Sequence, residues 1–235
     1  MSSRVKLLLI LGLILAPLTQ VTTYHGASFV MVIEMNDIRF DLWIISSLSA
    51  RSRLDCSKTC EIHGTCLSVQ FSPLTGQCRL YNTIFLHQDA GVYDIGWQYY
   101  IATKRRCRDP FIDGRDLNIC FMFAGFHDMT EAKAKCTAIQ SSIISITSEQ
   151  ENHFLKRLAG SLSSVSMPND SYIRPFIQGF WNGNDWILDD GTPLVYTKWA
   201  NGQPQITRQY IKLSKEGWKT TYFSSIRPVF CSYKP

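Results

Sequence analysis

Four residues with metal-binding side chains occur in one short segment: Cys56, Cys60, His63 and Cys66. Thiolate and imidazole groups are the ligands that zinc prefers, but a structural zinc site needs a complete tetrahedral set. No second Cys-x-x-Cys motif or histidine pair completes such a set in this sequence. We therefore expect no metal ligation by these cysteines.

Catalytic patterns are absent from the sequence as well. The five histidines show no His-x3-His spacing and no nucleophile elbow, and no glycine-rich phosphate loop occurs. Glu149 and Glu151 follow Ser148, which is typical of the start of a helix and not of a catalytic pair. We expect that the protein is not an enzyme.

The eight cysteines indicate disulfides formed in an oxidising compartment. Their even number is consistent with four bridges. Eight thiols allow roughly a hundred pairings, and the residues alone leave the choice among them open.

The N-terminus has the layout of a secretory signal peptide. Arg4 and Lys6 precede the apolar run from Leu7 to Leu18, and small or polar residues follow it. This run has about twelve residues, whereas about 20 are needed to cross a bilayer. We assign residues 1–23 to the signal, with cleavage between 20 and 27, and expect a secreted, extracellular protein without a membrane span.

Basic residues are scattered, apart from Lys104-Arg105-Arg106 and the nearby Arg108. Nucleic-acid binding would need a broader basic face with interleaved aromatic residues, so we expect no nucleic-acid partner. The cluster separates two different cysteine spacings. It predicts a domain boundary near residues 104–107.

The first unit, residues 28–104, is predicted to contain a helix and an antiparallel sheet. Residues 51–62 form the helix, with Cys56 and Cys60 on one face. A strand at 66–71, a turn and a partner strand from Cys78 follow. The order Cys-x3-Cys-x5-Cys before this hairpin resembles the PAN/apple domains. The resemblance implies the pairs Cys56–Cys78 and Cys60–Cys66, and a module that binds proteins or carbohydrates.

The second unit, residues 107–235, is predicted to contain two helices and several short strands. The first helix spans 128–138, and a capping box at 148–151 begins a second helix that stops at Gly160. Short strands are predicted at 143–146, 176–180 and 229–231.

This order of elements resembles the long form of the C-type lectin-like domain. The matching residues are Cys107, Cys120, Cys136, Glu151-Asn152, Phe154, Phe176 to Gly179, Trp186, Asp190-Gly191, Trp199, Pro204, Gly217-Trp218 and Cys231. The resemblance implies the pairs Cys107–Cys120 and Cys136–Cys231. Together the two resemblances predict an α+β protein: a disulfide-stapled PAN/apple-like domain, with its helix on an antiparallel sheet, followed by a long-form C-type lectin-like domain.

One bridge that this family commonly has is absent. The expected positions hold Tyr210 and Phe223, and an aromatic contact between them would offset part of the lost stability. Trp186, Trp199 and Trp218 are expected in the core.

The resemblance also locates the calcium site of sugar-binding members. They use a Glu-Pro-Asn or Gln-Pro-Asp motif, a nearby glutamate, and Asn-Asp after a tryptophan. Here these positions hold Gln203-Pro204-Gln205, Arg208 and Lys219-Thr220. Calcium needs six to eight oxygen ligands, several of them anionic, so we expect no calcium and no other cofactor at this site. Asp185, Asp189 and Asp190 are expected to be turn residues.

Two functions remain open, with an extracellular glycan or protein as partner. One is carbohydrate binding without calcium, and its candidate ligand-binding residues are Gln203, Gln205, Lys219, Thr220 and Tyr222. The other is protein recognition by the same loop, without sugar binding. Asn169, in the sequon Asn169-Asp170-Ser171, is predicted to be glycosylated.

Overall fold

The structure is a computed structural model that describes residues 21–24, 27–104, 106–162 and 174–235. The first part of the chain forms β1 (Val21–Tyr24), β2 (Ala27–Met31), β3 (Ile38–Arg39), β4 (Ile44–Ser49), α1 (Arg53–Ile62), β5 (Ser68–Ser72), β6 (Gln77–Tyr81), β7 (Val92–Tyr93) and β8 (Gln98–Lys104). The second part forms β9 (Ile112–Asp113), β10 (Cys120–His127), α2 (Met129–Ala138), β11 (Ser142–Ile143), α3 (Glu149–Gly160), β12 (Phe176–Trp181), β13 (Trp186–Ile187), β14 (Tyr210–Leu213), β15 (Trp218–Thr221) and β16 (Arg227–Tyr233).

Most of the predicted signal segment lies outside the described residues, but β1 overlaps its last three positions. Among the helices within the described ranges, none combines the length and hydrophobicity that crossing a bilayer requires.

The first unit is a helix on an antiparallel sheet with the strand order β1-β2-β8-β5-β6-β4. The helix α1 begins where the Ser52 side chain accepts a hydrogen bond from the Asp55 N–H. One face of α1 carries Cys56 and Cys60, which form disulfides with Cys78 on β6 and with Cys66 before β5. These are the pairs that the PAN/apple resemblance implied.

The strand β5 is buried on both faces. Val69 and Phe71 pack in the core under α1, while Gln70 on the opposite face is also fully buried. The Gln70 amide oxygen accepts hydrogen bonds from the Phe40 N–H and the Tyr81 hydroxyl. An aromatic cluster therefore covers the polar side of this strand.

The second unit contains the sheets β11-β16-β10-β9 and β13-β12-β14-β15. Asp128 caps α2 and Ser148 caps α3, in both cases by accepting from the N–H three residues later. The disulfide Cys136–Cys231 joins α2 to β16, and Cys107–Cys120 closes the hairpin at the start of the unit.

The two units share a core. Leu67 and Ile84 from the first unit pack in the same cluster as Phe121, Phe154 and Trp218 from the second. The contact between the two units is therefore part of one continuous hydrophobic core.

Candidate ligand-binding surface

The loop between Ala200 and β14 is held against β15. The Ala200 N–H donates to the Trp218 carbonyl at 2.9 Å, and the Trp218 N–H donates to the Lys198 carbonyl at 2.7 Å. Gly217 permits this close approach, because a Cβ atom there would lie 2.7 Å from the Lys198 carbonyl oxygen. Trp199 packs on Trp218 with ring centroids 5.9 Å apart.

Gln203 and Thr220 fix the shape of this loop from within. The Gln203 amide oxygen accepts from the Thr220 N–H at 2.9 Å and from the Thr220 hydroxyl at 2.8 Å. The Gln205 N–H donates in turn to the Thr220 hydroxyl at 3.3 Å. Thr220 has 0% of its surface exposed. Gln203 and Thr220, which were both predicted to contact the ligand, are therefore hydrogen-bonded to each other.

The residues at the family's calcium position do not fit calcium. The Gln203 oxygen is already occupied by two donors, and Lys219 lies 2.9 Å from the Glu216 carboxylate. That pair holds the pKa of Glu216 down at about 2. The Arg208 guanidinium stacks 5.2 Å from the centre of the Tyr222 ring. Within the described part of the chain, no three His, Cys, Asp or Glu side chains form a possible metal site.

Three of the predicted ligand contacts reach the surface together. Gln205 is exposed, Lys219 is partly exposed and Tyr222 has 52% of its surface exposed. The hydrogen bond from Gln205 to Thr220 places Gln205 beside β15, which carries Lys219, and Tyr222 directly follows this strand. We call the surface formed by residues 203–208, Lys219 and residues 222–226 the loop surface.

Three apolar side chains on the loop surface were not predicted as ligand contacts. Ile206 and Phe223 are each 59% exposed, and Ile226 is 64% exposed. An aromatic contact between Tyr210 and Phe223, which the sequence allowed, is not seen among the described residues: Phe223 is exposed, and the ring centroids of Tyr210 and Phe180 are 6.5 Å apart. For Ile206, Phe223 and Ile226, the only sequence signal was their position in the loop that contains Gln203-Pro204-Gln205 and in the turn that follows Trp218.

Cationic groups accumulate beside the loop surface. Lys212 faces Lys219 across the β14–β15 pair, and Arg227 donates to the Thr221 hydroxyl at 3.2 Å. Partial burial, with the nearby charges of Arg227, Arg174, Arg208 and Lys219, lowers the pKa of Lys212 to about 8.

The remaining polar candidates have structural contacts. Asp190 accepts hydrogen bonds from the Thr192 N–H and hydroxyl, as expected for a turn. Asp189 forms an ion pair with Lys133 of α2 at 2.8 Å. The predicted glycosylation site, Asn169, lies outside the described residues.

Comparison with known proteins gives results for both parts of the chain. Residues 40–94 match the family described as the PAN domain. A comparison with curated protein sequences finds no match.

The similar solved structures include three proteins. The mouse scavenger receptor C-type lectin carbohydrate-recognition domain is 18% identical, with 55% of this chain and 98% of that chain covered and a TM-score of 0.45. The C-type lectin CEL-I from Cucumaria echinata is 19% identical, covering 55% and 97%, with a TM-score of 0.45. Herring type II antifreeze protein is 20% identical, covering 55% and 99%, with a TM-score of 0.45. The chain is thus an α+β, disulfide-rich protein with a PAN domain match, and C-type lectin-like domains are among its structural neighbours at low identity.

Proposed function

We propose that this protein is a secreted recognition protein that binds an extracellular protein at the loop surface, without calcium and without chemistry on the ligand. PAN and C-type lectin-like domains are typically binding modules and not enzymes. Four disulfides and the signal-like N-terminus support secretion.

The observation that carries this proposal is the exposure of apolar and aromatic residues in the segments 206–208 and 222–226, which Arg208 joins by stacking on Tyr222. Ile206, Tyr222, Phe223 and Ile226 expose more than half of their surface. Aromatic residues and arginine are enriched at the centres of protein interfaces, where they contribute most of the binding energy. Side chains of this type in one loop region favour a protein partner.

Carbohydrate binding without calcium is the second candidate. Gln205 offers an exposed amide, and the Tyr222 ring remains half exposed although Arg208 stacks on it. Amide groups bind sugar hydroxyls, and aromatic rings stack on their apolar faces. Lys219 adds a donor at the same edge.

A paired screen separates the two candidates. The full chain is tested on a glycan array and on a panel of extracellular protein domains, each with and without chelator. Protein binding that is insensitive to chelator, with silence across the glycans, supports the proposal, and the converse supports the second candidate. Binding should be lost in Tyr222→Ala and retained in Tyr93→Ala, an exposed tyrosine on β7. Binding that survives Tyr222→Ala together with Phe223→Ala would exclude the loop surface in both cases.

Calcium titration calorimetry on the full chain tests the metal-free part of the proposal. We expect no saturable heat, since the Gln203 oxygen is occupied and Lys219 repels a cation. A saturable heat that disappears in Gln203→Ala would show that calcium binds at this loop and would contradict the proposal.

A further inference from the structure

A cavity of about 420 Å³ lies at the junction between the two units. The first unit contributes residues beside β5 and β6, and the second contributes the turn before β10 and one face of α3. The wall includes Leu67, Asn82, Leu117, Gln150, Phe154 and Arg157. Small-molecule sites have volumes of about 300–1,000 Å³ and occur preferentially at domain interfaces.

The inner wall of the cavity is apolar. Leu67 and Phe154 are buried, and Leu117 packs against the same core cluster. Binding a hydrocarbon or aromatic group here is favourable because it removes from water the partly exposed Leu117 side chain and the apolar surface of the group itself.

Arg157 adds one positive charge to this wall without an acidic partner. Its Nε donates to the Asn82 carbonyl at 3.2 Å, and neither Nη nitrogen bonds to a residue in the described ranges. Burial lowers the pKa of the Arg157 guanidinium. The two Nη nitrogens match the two oxygens of a carboxylate or sulfate group.

The other charged groups around the cavity are paired or solvated. One Nη nitrogen of the buried Arg115 lies 3.5 Å from the Glu61 carboxylate, while the other has no hydrogen-bond partner in the described ranges. His153 lies 3.0 Å from a glutamate of its own helix. Asp116 is exposed to solvent. Among the described residues, Arg157 is therefore a cation of this wall that has no carboxylate partner and that an incoming anion can reach.

We propose that this cavity binds a small amphipathic anion, with its carboxylate or sulfate group on the Nη nitrogens of Arg157 and its apolar body against Leu67, Leu117 and Phe154. A ligand held by both units also stabilises the junction, because it binds only the folded, joined form. The site is separate from the loop surface and does not depend on the function proposed for that surface.

Octanoate and octyl sulfate are suitable probes, since they share an apolar chain and differ in the anionic group, and 1-octanol is their neutral match. Binding to the full chain is measured by saturation-transfer difference NMR and by the change in the thermal midpoint. We expect both anions to bind and to raise the midpoint, and 1-octanol to bind at least about tenfold more weakly. A preference for one anion supports the site and identifies its headgroup. Equal binding of anion and alcohol, or no saturable binding of either anion, would overturn the proposal.

Two variants test separately whether binding needs the Arg157 guanidinium and whether it needs the open volume of the cavity. Arg157→Gln should weaken both anions about tenfold or more and leave 1-octanol unchanged, and Leu117→Trp should abolish binding by filling the cavity. Arg51→Gln, at an exposed cation of the first unit, is the matched control and should bind like the wild type. Circular dichroism establishes that each variant is folded, and Arg157→Met, which keeps the apolar stem and removes the charge, replaces Arg157→Gln if that variant unfolds. Undiminished anion binding in a folded Arg157 variant contradicts the assignment.

Discussion

Gln203 holds the loop together through one amide oxygen that accepts two hydrogen bonds from Thr220. In sugar-binding members of the family that the sequence resembles, the equivalent position supplies a calcium ligand. In this protein the neutral Gln203 oxygen accepts from the buried Thr220 N–H and hydroxyl, and these hydrogen bonds fix the loop to β15. At the scale of the residue, Gln203 therefore has a structural role within the loop.

Gln203→Ala should lower the free energy of unfolding by about 1–3 kcal/mol, because it leaves the buried Thr220 N–H without an acceptor. Urea denaturation measures the change. Gln205→Ala is the matched control, since the Gln205 side chain is exposed and its loss should change stability by less than about 0.5 kcal/mol. Equal effects of the two changes would refute the anchoring role.

Lys212 makes stability depend on pH. Its pKa in the folded state, about 8, is below that of an ordinary lysine. Between pH 8 and about 10.5 the unfolded chain therefore holds a proton that the folded chain has released, and stability rises with pH through this window. Below pH 8 the cost of the charged Lys212 is fully present.

Lys212→Met should therefore unfold at higher urea concentration than the wild type at pH 7, and this advantage should shrink toward pH 10.5. Added salt should also reduce the advantage, because it screens the neighbouring cations. Lys234→Met, at an exposed lysine, controls for a general loss of charge and should show neither trend. An advantage of Lys212→Met that is constant with pH would contradict the assignment.

The three helices were predicted well because their signals are local. The helix predicted at 51–62 spans Arg53–Ile62, and the one predicted at 128–138 begins after its cap at Asp128. A cap and an apolar stripe lie within a few residues of each other, so the sequence alone contains both.

Strands were harder to predict because their extent depends on distant partners. The predicted strand at 143–146 is only Ser142–Ile143, and the final strand runs on to Tyr233. The strand β4, at the edge of the first sheet, was not predicted at all. Strand bounds depend on which backbone lies opposite, and no local pattern encodes that partner.

The helix α3 is joined to β15 by one buried hydrogen bond. Asn152 accepts from the Trp218 indole N–H at 2.9 Å, and both side chains are fully buried. Asn152→Ala should cost about 1–3 kcal/mol because it leaves that N–H unsatisfied. Gln150→Ala, on the exposed face of the same helix, is the control for helix propensity and should be nearly neutral by thermal or urea unfolding. A neutral Asn152→Ala would mean that the two elements are joined by packing alone.

At the scale of the whole molecule, Gly160 has a role that its place at the helix end did not reveal. It is the last residue of α3, and a Cβ atom there would lie 2.6 Å from the Trp43 ring of the first unit. The glycine therefore allows the two units to approach closely. The prediction that the helix stops at Gly160 is confirmed, and the contact with Trp43 is a second role of this glycine.

Gly160→Ala should destabilise the protein by about 1–3 kcal/mol, because the added methyl group pushes Trp43 out of its place. In a Trp43→Ala background the same change should become neutral or stabilising, as alanine usually is relative to glycine in a helix. Urea unfolding of the four variants measures this reversal of sign. If Gly160→Ala has the same effect in both backgrounds, the contact does not hold the units together.

The sequence by itself determined what is local: the cysteine spacings, the caps and stripes of the helices, and the absence of carboxylates at positions 203, 205, 219 and 220. Only the tertiary structure decided what depends on residues far apart in the chain. In the folded protein Thr220 is buried and hydrogen-bonded to Gln203, and Phe223 is exposed to solvent. Leu67 and Arg157 line the same cavity. Side-chain accessibility and the pairing of charges are set by neighbours from other elements, and no local pattern contains them.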